Sequence, residues 1–429
     1  MFLGTEQKTL VFFDSVPKNI KSCLEIGGKM DKELGIYVHI PFCIKKCAYC
    51  DFISYPNKLE MQEKYVKKIL EEIDDAKQII NNCNVTTVYI GGGTPSAIDS
   101  KLIKRILHKI KDVISAKPKA DNVAVLDETK RNFKNGLNND IQEITIEVNP
   151  GTVTRKKLED YLEAGVNRLS IGLQTTNDLL LKSIGRIHTY QDFLDTYNMA
   201  VAVGFKNISV DLMIGLPNQT ILDIKESIEN ITNLNPRPQH VSVYSLIVEE
   251  NTPMERLLDD GKIVLPTDEE ERNQYSYVKN TLEQKGYKHY EISNFCLPGK
   301  QAIHNTNCWE QKEYLGFGAA AHSYFDRKRF SNTNSLQQYL SESFEKLRII
   351  DEVQSLENQQ KEFMLLGLRK LDGVDISAFK AKFAQNPLFL FRNEIQKLVN
   401  EGLLVVDLNQ IRLSRRGLDL ANMVWEEFI

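Results

Sequence analysis

The sequence has no apolar run that approaches the roughly 20 residues of a membrane span. It also has little charge imbalance, with 54 Lys and Arg against 58 Asp and Glu and a formal net charge of -4. The first absence argues against a membrane-spanning protein. The near-balanced charge leaves no overall electrostatic field that would attract the chain to nucleic acid or to anionic lipid. With 429 residues, 42% of them hydrophobic, the chain can bury a substantial core.

The N-terminal stretch lacks the features of a targeting signal. Residues 1–34 contain no arginine and carry several acidic residues. A secretory signal has a basic start and a long apolar segment, and a mitochondrial presequence is rich in arginine and poor in acids. We therefore expect a cytoplasmic protein. A mitochondrial matrix location has no clear presequence to support it.

Cysteine is scarce and unevenly spread. Three of the seven cysteines lie within eight residues, at Cys43, Cys47 and Cys50. An odd total with this crowding favours a metal site in a reducing compartment over a disulfide framework.

Short β-rich apolar runs alternate with amphipathic segments. The runs are GIYVHI from 35, TTVYIGG from 86, IQEITIEV from 141, NRLSIGLQ from 167, NISVDLMIG from 207 and HVSVYSLIV from 240. The amphipathic segments between them include 60–80, 101–114, 154–164 and 222–234. This alternation predicts an α/β fold with a parallel sheet, as a partial (β/α)6 barrel. YKHYEISNF from 287 is a further strand without an assigned position.

The pattern predicts three parts of the chain: an N-terminal extension over 1–34, a barrel with following α/β elements over 35–350, and a C-terminal domain over 351–429. A polar Lys/Asn-rich stretch near 116–140 predicts a surface insertion in the barrel. The C-terminal part is mainly helical with a strand pair around LLVVDLNQIRLS, which resembles a winged-helix-like module. Its near-balanced charge favours packing or partner binding over DNA recognition.

The cysteine triad has the spacing CxxxCxxC and directly follows the first predicted strand, where β/α barrels build their active sites. Three thiolates can ligate three irons of a [4Fe-4S] cluster and leave one iron open to an exogenous ligand. The structural alternative is a zinc site in which His39 is the fourth ligand. Structural zinc sites usually draw their ligands from two places in the sequence, however, whereas this triad stands alone.

A series of motifs resembles the oxygen-independent coproporphyrinogen III oxidase family of radical S-adenosylmethionine (SAM) proteins, in its heme chaperone branch. The motifs are IYVHIPFCxxxCxYCDF, YIGGGTPS, IEVNPG, RLSIGLQ, DLMIGLP and YEISNF, in that order. The resemblance covers about 35–429. It implies a radical SAM barrel in which the open iron of the cluster binds SAM.

The resemblance also implies the residues that contact SAM. These are Tyr37, Gly92, Gly93, Thr94, Glu147, Gln174, Arg186 and Asp211. Taken singly, a glycine triplet is more often a tight turn, a strand tyrosine is ordinarily core, and each polar residue would be solvated surface. We place Gln174, Arg186 and Asp211 at or after strand ends, and we expect Glu147 to accept hydrogen bonds from ribose hydroxyls.

The segment His304-Asn-Thr-Asn-Cys308-Trp309 resembles the HNxxYW motif that the chaperone branch associates with heme binding. Imidazole is a common axial ligand of heme iron, so the resemblance implies His304 as that ligand. By itself, a histidine in a loop is usually polar surface. Cys308 replaces the family's tyrosine and adds a thiol.

The resemblance implies either of two functions. The oxidases use the reduced cluster to cleave SAM and convert propionates to vinyl groups, and they carry a further cysteine two residues after the third ligand. Phe52 stands at that position here, and the stretch before Gly35 is shorter than theirs. Both departures favour a protein that carries heme to an acceptor over the oxidase. A zinc or iron-sulfur scaffold is a lesser alternative, and the oligomeric state, a homodimer included, is left open.

Overall fold

The structure is a computed structural model that describes residues 32–116 and 141–429. The predicted insertion therefore lies almost wholly outside the described residues, as does the predicted extension up to residue 31. The strands of the described ranges are β1 Glu33–Ile40, β2 Phe42–Cys43, β3 Tyr55–Pro56, β4 Asn84–Gly92, β5 Glu143–Val148, β6 Arg168–Gln174, β7 Ile208–Ile214, β8 His240–Ser245, β9 Lys288–Glu291, β10 Asn294–Cys296, β11 Glu313–Phe317, β12 His322–Phe325, β13 Lys328–Asn332, β14 Arg348–Val353, β15 Val374–Asp375, β16 Leu404–Val406 and β17 Gln410–Leu413.

The helices of the same ranges are α1 Gln62–Asp75, α2 Lys77–Asn82, α3 Ser100–Ser115, α4 Arg155–Glu163, α5 Asp178–Ser183, α6 Tyr190–Val203, α7 Ile221–Thr232, α8 Pro253–Asp259, α9 Asp268–Gln284, α10 Ile303–Trp309, α11 Leu336–Ser341, α12 Phe344–Leu347, α13 Leu356–Gly367, α14 Ile376–Phe383, α15 Pro387–Leu390, α16 Arg392–Asn400, α17 Arg415–Asp419 and α18 Ala421–Glu426. Within the described residues, none of them is long and apolar enough to cross a bilayer.

The six predicted strands form the centre of one large sheet, in the order β1-β4-β5-β6-β7-β8, and every pairing among them is parallel. β11 adds a further parallel strand beside β1, and β12 to β14 continue from it as antiparallel strands. YKHYEISNF forms β9 and β10, which extend the other edge beyond β8. β14 and β9 are the two ends of this order, so the barrel is open. The predicted α/β fold is confirmed.

The helices that connect the parallel strands begin where the sequence places good caps. Thr189 and Asp192 form a reciprocal capping box at the start of α6, and Thr220 and Asp223 form the same box at α7. α6 ends at Gly204, whose φ of 115° lies in the left-handed region that glycine adopts without strain. These signals explain why the helix bounds agree closely with the sequence pattern.

Each central strand has an apolar face and a polar face. In β1 the buried residues Leu34, Ile36, Val38 and Ile40 belong to the main hydrophobic core, together with residues of the helices outside the barrel. Alternate side chains of a strand point to opposite faces, so Tyr37 and His39 face the barrel interior. The interior of this barrel is thus polar, and the carboxyl ends of its strands open onto the cysteine segment.

The C-terminal part has a hydrophobic core of its own. Strands β15, β17 and β16 form a small antiparallel sheet in that order, and helices α13 to α18 surround it. Phe379, Ile411 and Phe428 are among the fully buried side chains of this core. The mainly helical, winged-helix-like arrangement agrees with the fold predicted from sequence. The division of the chain into domains at 350/351 stays a prediction, and that position lies inside β14.

Candidate functional site

The cysteine segment lies at the carboxyl ends of the barrel strands. Cys43 ends β2 and is 6% exposed, whereas Cys47 and Cys50 are half-buried. Two main-chain hydrogen bonds hold the loop between the second and third cysteines: Ala48 N donates to Ile184 O at 3.0 Å, and Met254 N donates to Ala48 O at 3.0 Å. The loop is therefore fixed by the backbone around it.

Burial controls the protonation of these thiols. It raises the pKa of Cys50 to about 12 and is also the main cause of the raised pKa of Cys43. Both thiols are protonated at neutral pH, so assembly of a metal site on them displaces protons. Arg186 Nη1 lies 3.6 Å from Cys47 Sγ and supplies a positive charge where thiolates would form.

The remaining described cysteines lie at the opposite end of the barrel. Cys83 directly precedes β4, Cys296 pairs with the first residue of β8, and Cys308 lies in α10. Over residues 32–116 and 141–429, then, no fourth cysteine accompanies the triad. In these ranges, no three His, Cys, Asp or Glu side chains are close enough together to hold one metal ion.

Both ring nitrogens of His39 are hydrogen-bonded inside the barrel, and this counts against the zinc alternative. Its Nδ1 is hydrogen-bonded to Tyr37 Oη at 2.9 Å and its Nε2 to Ile53 O at 2.9 Å. A zinc ligand needs one ring nitrogen for the metal, and both are already used here. The sulfur donors at the loop are the three thiols.

The glycine triplet packs directly beneath the loop. A Cβ at Gly93 would lie 3.0 Å from Cys43 Sγ, and a Cβ at Gly92 would lie 2.5 Å from the His39 ring. Gly92 also has a φ of 113°. Thr94 follows, and its Oγ1 donates to Cys43 Sγ at 3.4 Å. A side chain at Gly93 would displace Cys43, and a side chain at Gly92 would displace the His39 ring, so the triplet is more than a tight turn.

Glu147 lies beside the triplet in the barrel mouth. Its carboxylate accepts from Tyr89 Oη at 2.8 Å and from Gly92 N at 3.1 Å. Tyr37 stacks on Tyr89, with ring centroids 6.2 Å apart. Burial, with the nearby charge of Asp211, raises the pKa of Glu147 to about 7.

This pKa gives a prediction for the pH dependence of SAM binding, if Glu147 accepts hydrogen bonds from the ribose. Its ionised fraction rises about tenfold from pH 6 to pH 8 around a pKa of about 7. Because the ionised form is the better acceptor, we expect the SAM affinity of the cluster-loaded protein to rise up to about tenfold over that interval. Equilibrium dialysis with labelled SAM measures it. Glu147→Gln should bind more weakly and without this slope, and an equal slope in that variant would contradict the assignment.

Arg186 and Gln174 reach the same region from β6 and the segment after it. Arg186 Nη2 donates to Gly172 O at 2.6 Å and to Asn149 Oδ1 at 2.8 Å. Gln174 ends β6 with a φ of 74°, next to an irregularity in the pairing with β7. A non-glycine residue in the left-handed region is strained, and such strain is concentrated at functional sites.

Asp211 lies deeper than the sequence indicates. It is in the middle of β7 rather than at its end, because the residues after it continue to pair with β8. Its carboxylate accepts from Ser170 Oγ at 3.1 Å and from Ser209 Oγ at 3.3 Å. Burial raises its pKa. Asp211 therefore belongs to the wall of the polar interior, below the strand ends.

Sequence reasoning missed several residues of this site, including Tyr89, Ser170, Ser209 and Asn149. Each is separated by an even number of positions from a predicted residue in or next to the same β-rich run, as Tyr89 is from Gly93 and Asn149 from Glu147. Side chains of such a run share a face. The two-residue period of a strand is the signal that could have identified them.

His304 lies at the other end of the barrel, in the first turn of α10 rather than in a loop. It is 2% exposed, and its Nδ1 is hydrogen-bonded to Thr87 Oγ1 at 2.8 Å. Glu143 accepts from Ile303 N at 3.0 Å and from His304 N at 3.1 Å, which anchors the start of the helix. Burial lowers the pKa of His304 to about 3, so the imidazole is neutral. His304 therefore lies below the residues predicted to contact SAM, and its ring packs against that of Tyr89, with centroids 5.3 Å apart.

The chemistry of the donor set fits a [4Fe-4S] cluster. Three thiols share one loop, glycine backbone approaches the loop without side chains, and a guanidinium faces one sulfur. A bound cluster would supply an electron-transfer centre with one iron open to a further ligand.

Comparison with known proteins agrees with this geometry. The Radical SAM superfamily matches residues 37–231, and the HemN C-terminal domain matches residues 354–420. A relative from Lactococcus lactis, named heme chaperone HemW, is 34% identical over 93% of this chain and 98% of its own length. A Bacillus subtilis relative of the same name is 35% identical over 92% of this chain and 98% of its own.

The chain belongs to the HemW family of radical SAM proteins. The superfamily implies a [4Fe-4S] cluster, as the cysteine spacing predicts, and SAM, as the family resemblance implies. Among solved structures, coproporphyrinogen III oxidase HemN from Escherichia coli superposes with a TM-score of 0.76 over 94% of this chain and 91% of that chain. At 21% identity, this match supports the fold alone. This chain and that oxidase thus share one fold.

Proposed function

We propose that this chain binds heme and passes it to acceptor hemoproteins. The observation that carries the proposal is the identity of 34% and 35% to two relatives named heme chaperone HemW, each aligned over 98% of its length. Phe52 supports it, because the oxidases that the sequence resembles have a cysteine at that position. The acceptor is a protein of unspecified identity that receives heme.

The cluster is proposed to bind to Cys43, Cys47 and Cys50. SAM is proposed to lie above the glycine triplet, in contact with Tyr37, Gly92, Gly93, Thr94, Glu147, Gln174, Arg186 and Asp211. Their placement around one barrel mouth supports this set, with Asp211 as its deepest member. Glu147 and Asp211 would bind polar groups of the nucleoside, and the cluster would hold the methionine part.

His304 is proposed as the axial ligand of heme iron. Among the described residues, its Nε2 has no hydrogen-bond partner, while its Nδ1 is fixed by Thr87. A neutral imidazole oriented through one nitrogen is the form that ligates a metal. The ring is buried, however, and Trp309 of the same helix is covered by the Arg369 guanidinium, 4.5 Å from its ring centroid. Ligation of heme iron by His304 therefore requires the packing around this ring to open.

We expect His304→Ala to weaken heme binding by at least about tenfold and to shift the Soret band, because the axial ligand is lost. Heme titration followed by absorbance measures both. Cys308→Ala is the matched variant in the same helix, and it should leave the band in place if the thiol is not the ligand. An unchanged spectrum and affinity in His304→Ala would remove this histidine from the proposal.

A second candidate function is oxygen-independent coproporphyrinogen III oxidation. The sequence motifs that this chain has in common with the oxidases and the polar residues at the barrel mouth favour it. The deciding experiment reconstitutes the protein anaerobically with iron and sulfide, titrates it with heme, and assays the same sample for vinyl product from coproporphyrinogen III with SAM and reductant. Stoichiometric heme uptake without product supports the chaperone. Product formation would establish the oxidase despite Phe52.

A further inference from the structure

Asn149 joins two of the side chains that donate hydrogen bonds to the cysteine thiols. It lies directly after β5, in the IEVNPG motif, and the sequence assigned it no role. Its Nδ2 donates to Thr94 Oγ1 at 2.9 Å, and its Oδ1 accepts from Arg186 Nη2 at 2.8 Å. One amide thus joins two side chains that each contact a different thiol.

The direction of each hydrogen bond follows from the chemistry of the groups. A guanidinium can only donate, so the carbonyl oxygen of Asn149 must face Arg186 and the amide nitrogen must face Thr94. The Thr94 oxygen then accepts from Asn149, and its own hydrogen is directed to Cys43 Sγ at 3.4 Å. Arg186 Nη1 donates to Cys47 Sγ at 3.6 Å. The amide therefore orients one donor toward each of two sulfurs.

We call the hydrogen-bonded chain Thr94–Asn149–Arg186 the bridge. The backbone around Asn149 keeps this bridge in place. Its N donates to Ser96 Oγ at 3.1 Å, and its O accepts from Thr152 Oγ1 at 2.7 Å. Space for the bridge depends on Gly172, where a Cβ would lie 3.1 Å from Arg186 Nη2 and 3.2 Å from Asn149 Oδ1. The site is thus built around this amide.

We propose that Asn149 is a positioning residue of the cluster: it orients Thr94 toward Cys43 and Arg186 toward Cys47. Hydrogen bonds to the sulfurs stabilise the additional negative charge of a reduced cluster, so the bridge raises the reduction potential and slows cluster loss. This inference rests on the cluster assignment in the proposed function.

Asn149→Asp tests the bridge with almost no change of shape. A carboxylate still accepts from Arg186 but cannot donate to Thr94, whose hydrogen then turns to the carboxylate and leaves Cys43. We expect a lower reduction potential in spectroelectrochemical titration and cluster loss to a chelator that is about 10- to 100-fold faster. Thr94→Val removes the same hydrogen bond to Cys43 without adding charge, and its potential should also fall.

Asn167→Asp is the matched control at the opposite end of the barrel. Its amide also bridges two partners, with Oδ1 accepting from Ile144 N and Nδ2 donating to Gln142 O. This variant should keep the wild-type potential, since it lies far from the loop.

The outcomes separate the two proposals. If the wild-type protein retains a cluster but Asn149→Asp and Thr94→Val keep its potential and its rate of loss, the bridge has no role at the cluster and the inference is overturned. If the wild-type protein retains no cluster, the cluster assignment itself fails. Circular dichroism checks that each variant folds, and if Asn149→Asp does not, the potential of Thr94→Val decides.

Discussion

Cys47→Ala is expected to abolish retention of the [4Fe-4S] cluster. Cys47 is the central member of the triad, and Arg186 Nη1 approaches its sulfur. Only two thiolates would remain, so a second iron of the cubane, besides the open one, would have no protein ligand. No other cysteine of the described chain lies at this end of the barrel to replace Cys47. Iron and sulfide content and the visible absorbance after anaerobic reconstitution and desalting measure the loss.

Cys83→Ala is the control for this experiment. Cys83 is buried and lies before β4, at the opposite end of the barrel, so this variant should retain iron at the wild-type ratio. An intact cluster in Cys47→Ala, with the same iron content as the control, would show that the triad does not ligate it.

Glu72→Ala is expected to lower the free energy of unfolding by about 3 kcal/mol, because it leaves buried hydrogen-bond donors without an acceptor. The Glu72 carboxylate in α1 is 1% exposed and accepts from Gly318 N, Asn332 Nδ2 and Tyr339 Oη at 2.9, 2.7 and 2.6 Å. These contacts attach α1 to the turn after β11, to β13 and to α11. Urea unfolding measures the change.

Glu71→Ala is the neighbouring control, since Glu71 is exposed on the same helix. Its effect should stay within about 0.5 kcal/mol, as for most surface substitutions. Equal unfolding midpoints for the two variants would mean that the buried carboxylate contributes no net stability.

The sequence predicted the barrel strands well, because each is a short β-rich run bounded by turns. GIYVHI, RLSIGLQ and HVSVYSLIV all fall on central strands, and the parallel order follows from the helices between them. It did not predict β11, which is five residues long and contains Gly316. β11 pairs in parallel with β1 at the edge opposite β4, and no local pattern indicates this pairing between segments far apart in the sequence.

Motif position located the cysteine segment at a strand end, but it did not reveal the contacts among side chains. Thr94 and Arg186 were assigned to SAM, and the structure shows that both also contact thiols. Asn149 carried no signal of its own beyond its even spacing from Glu147. The hydrogen bonds that join it to its neighbours depend on segments far apart in the sequence.

The sequence by itself determined the α/β fold, the cysteine triad and the family, since strand runs, ligand spacing and ordered motifs are all local patterns. Only the tertiary structure decided the depth of Asp211 and the burial of His304 beneath the barrel, about which the HNTNCW motif says nothing. It also decided that both ring nitrogens of His39 are hydrogen-bonded. These properties arise from packing between distant segments, because burial and hydrogen-bond partners are fixed when strands and helices close around one interior.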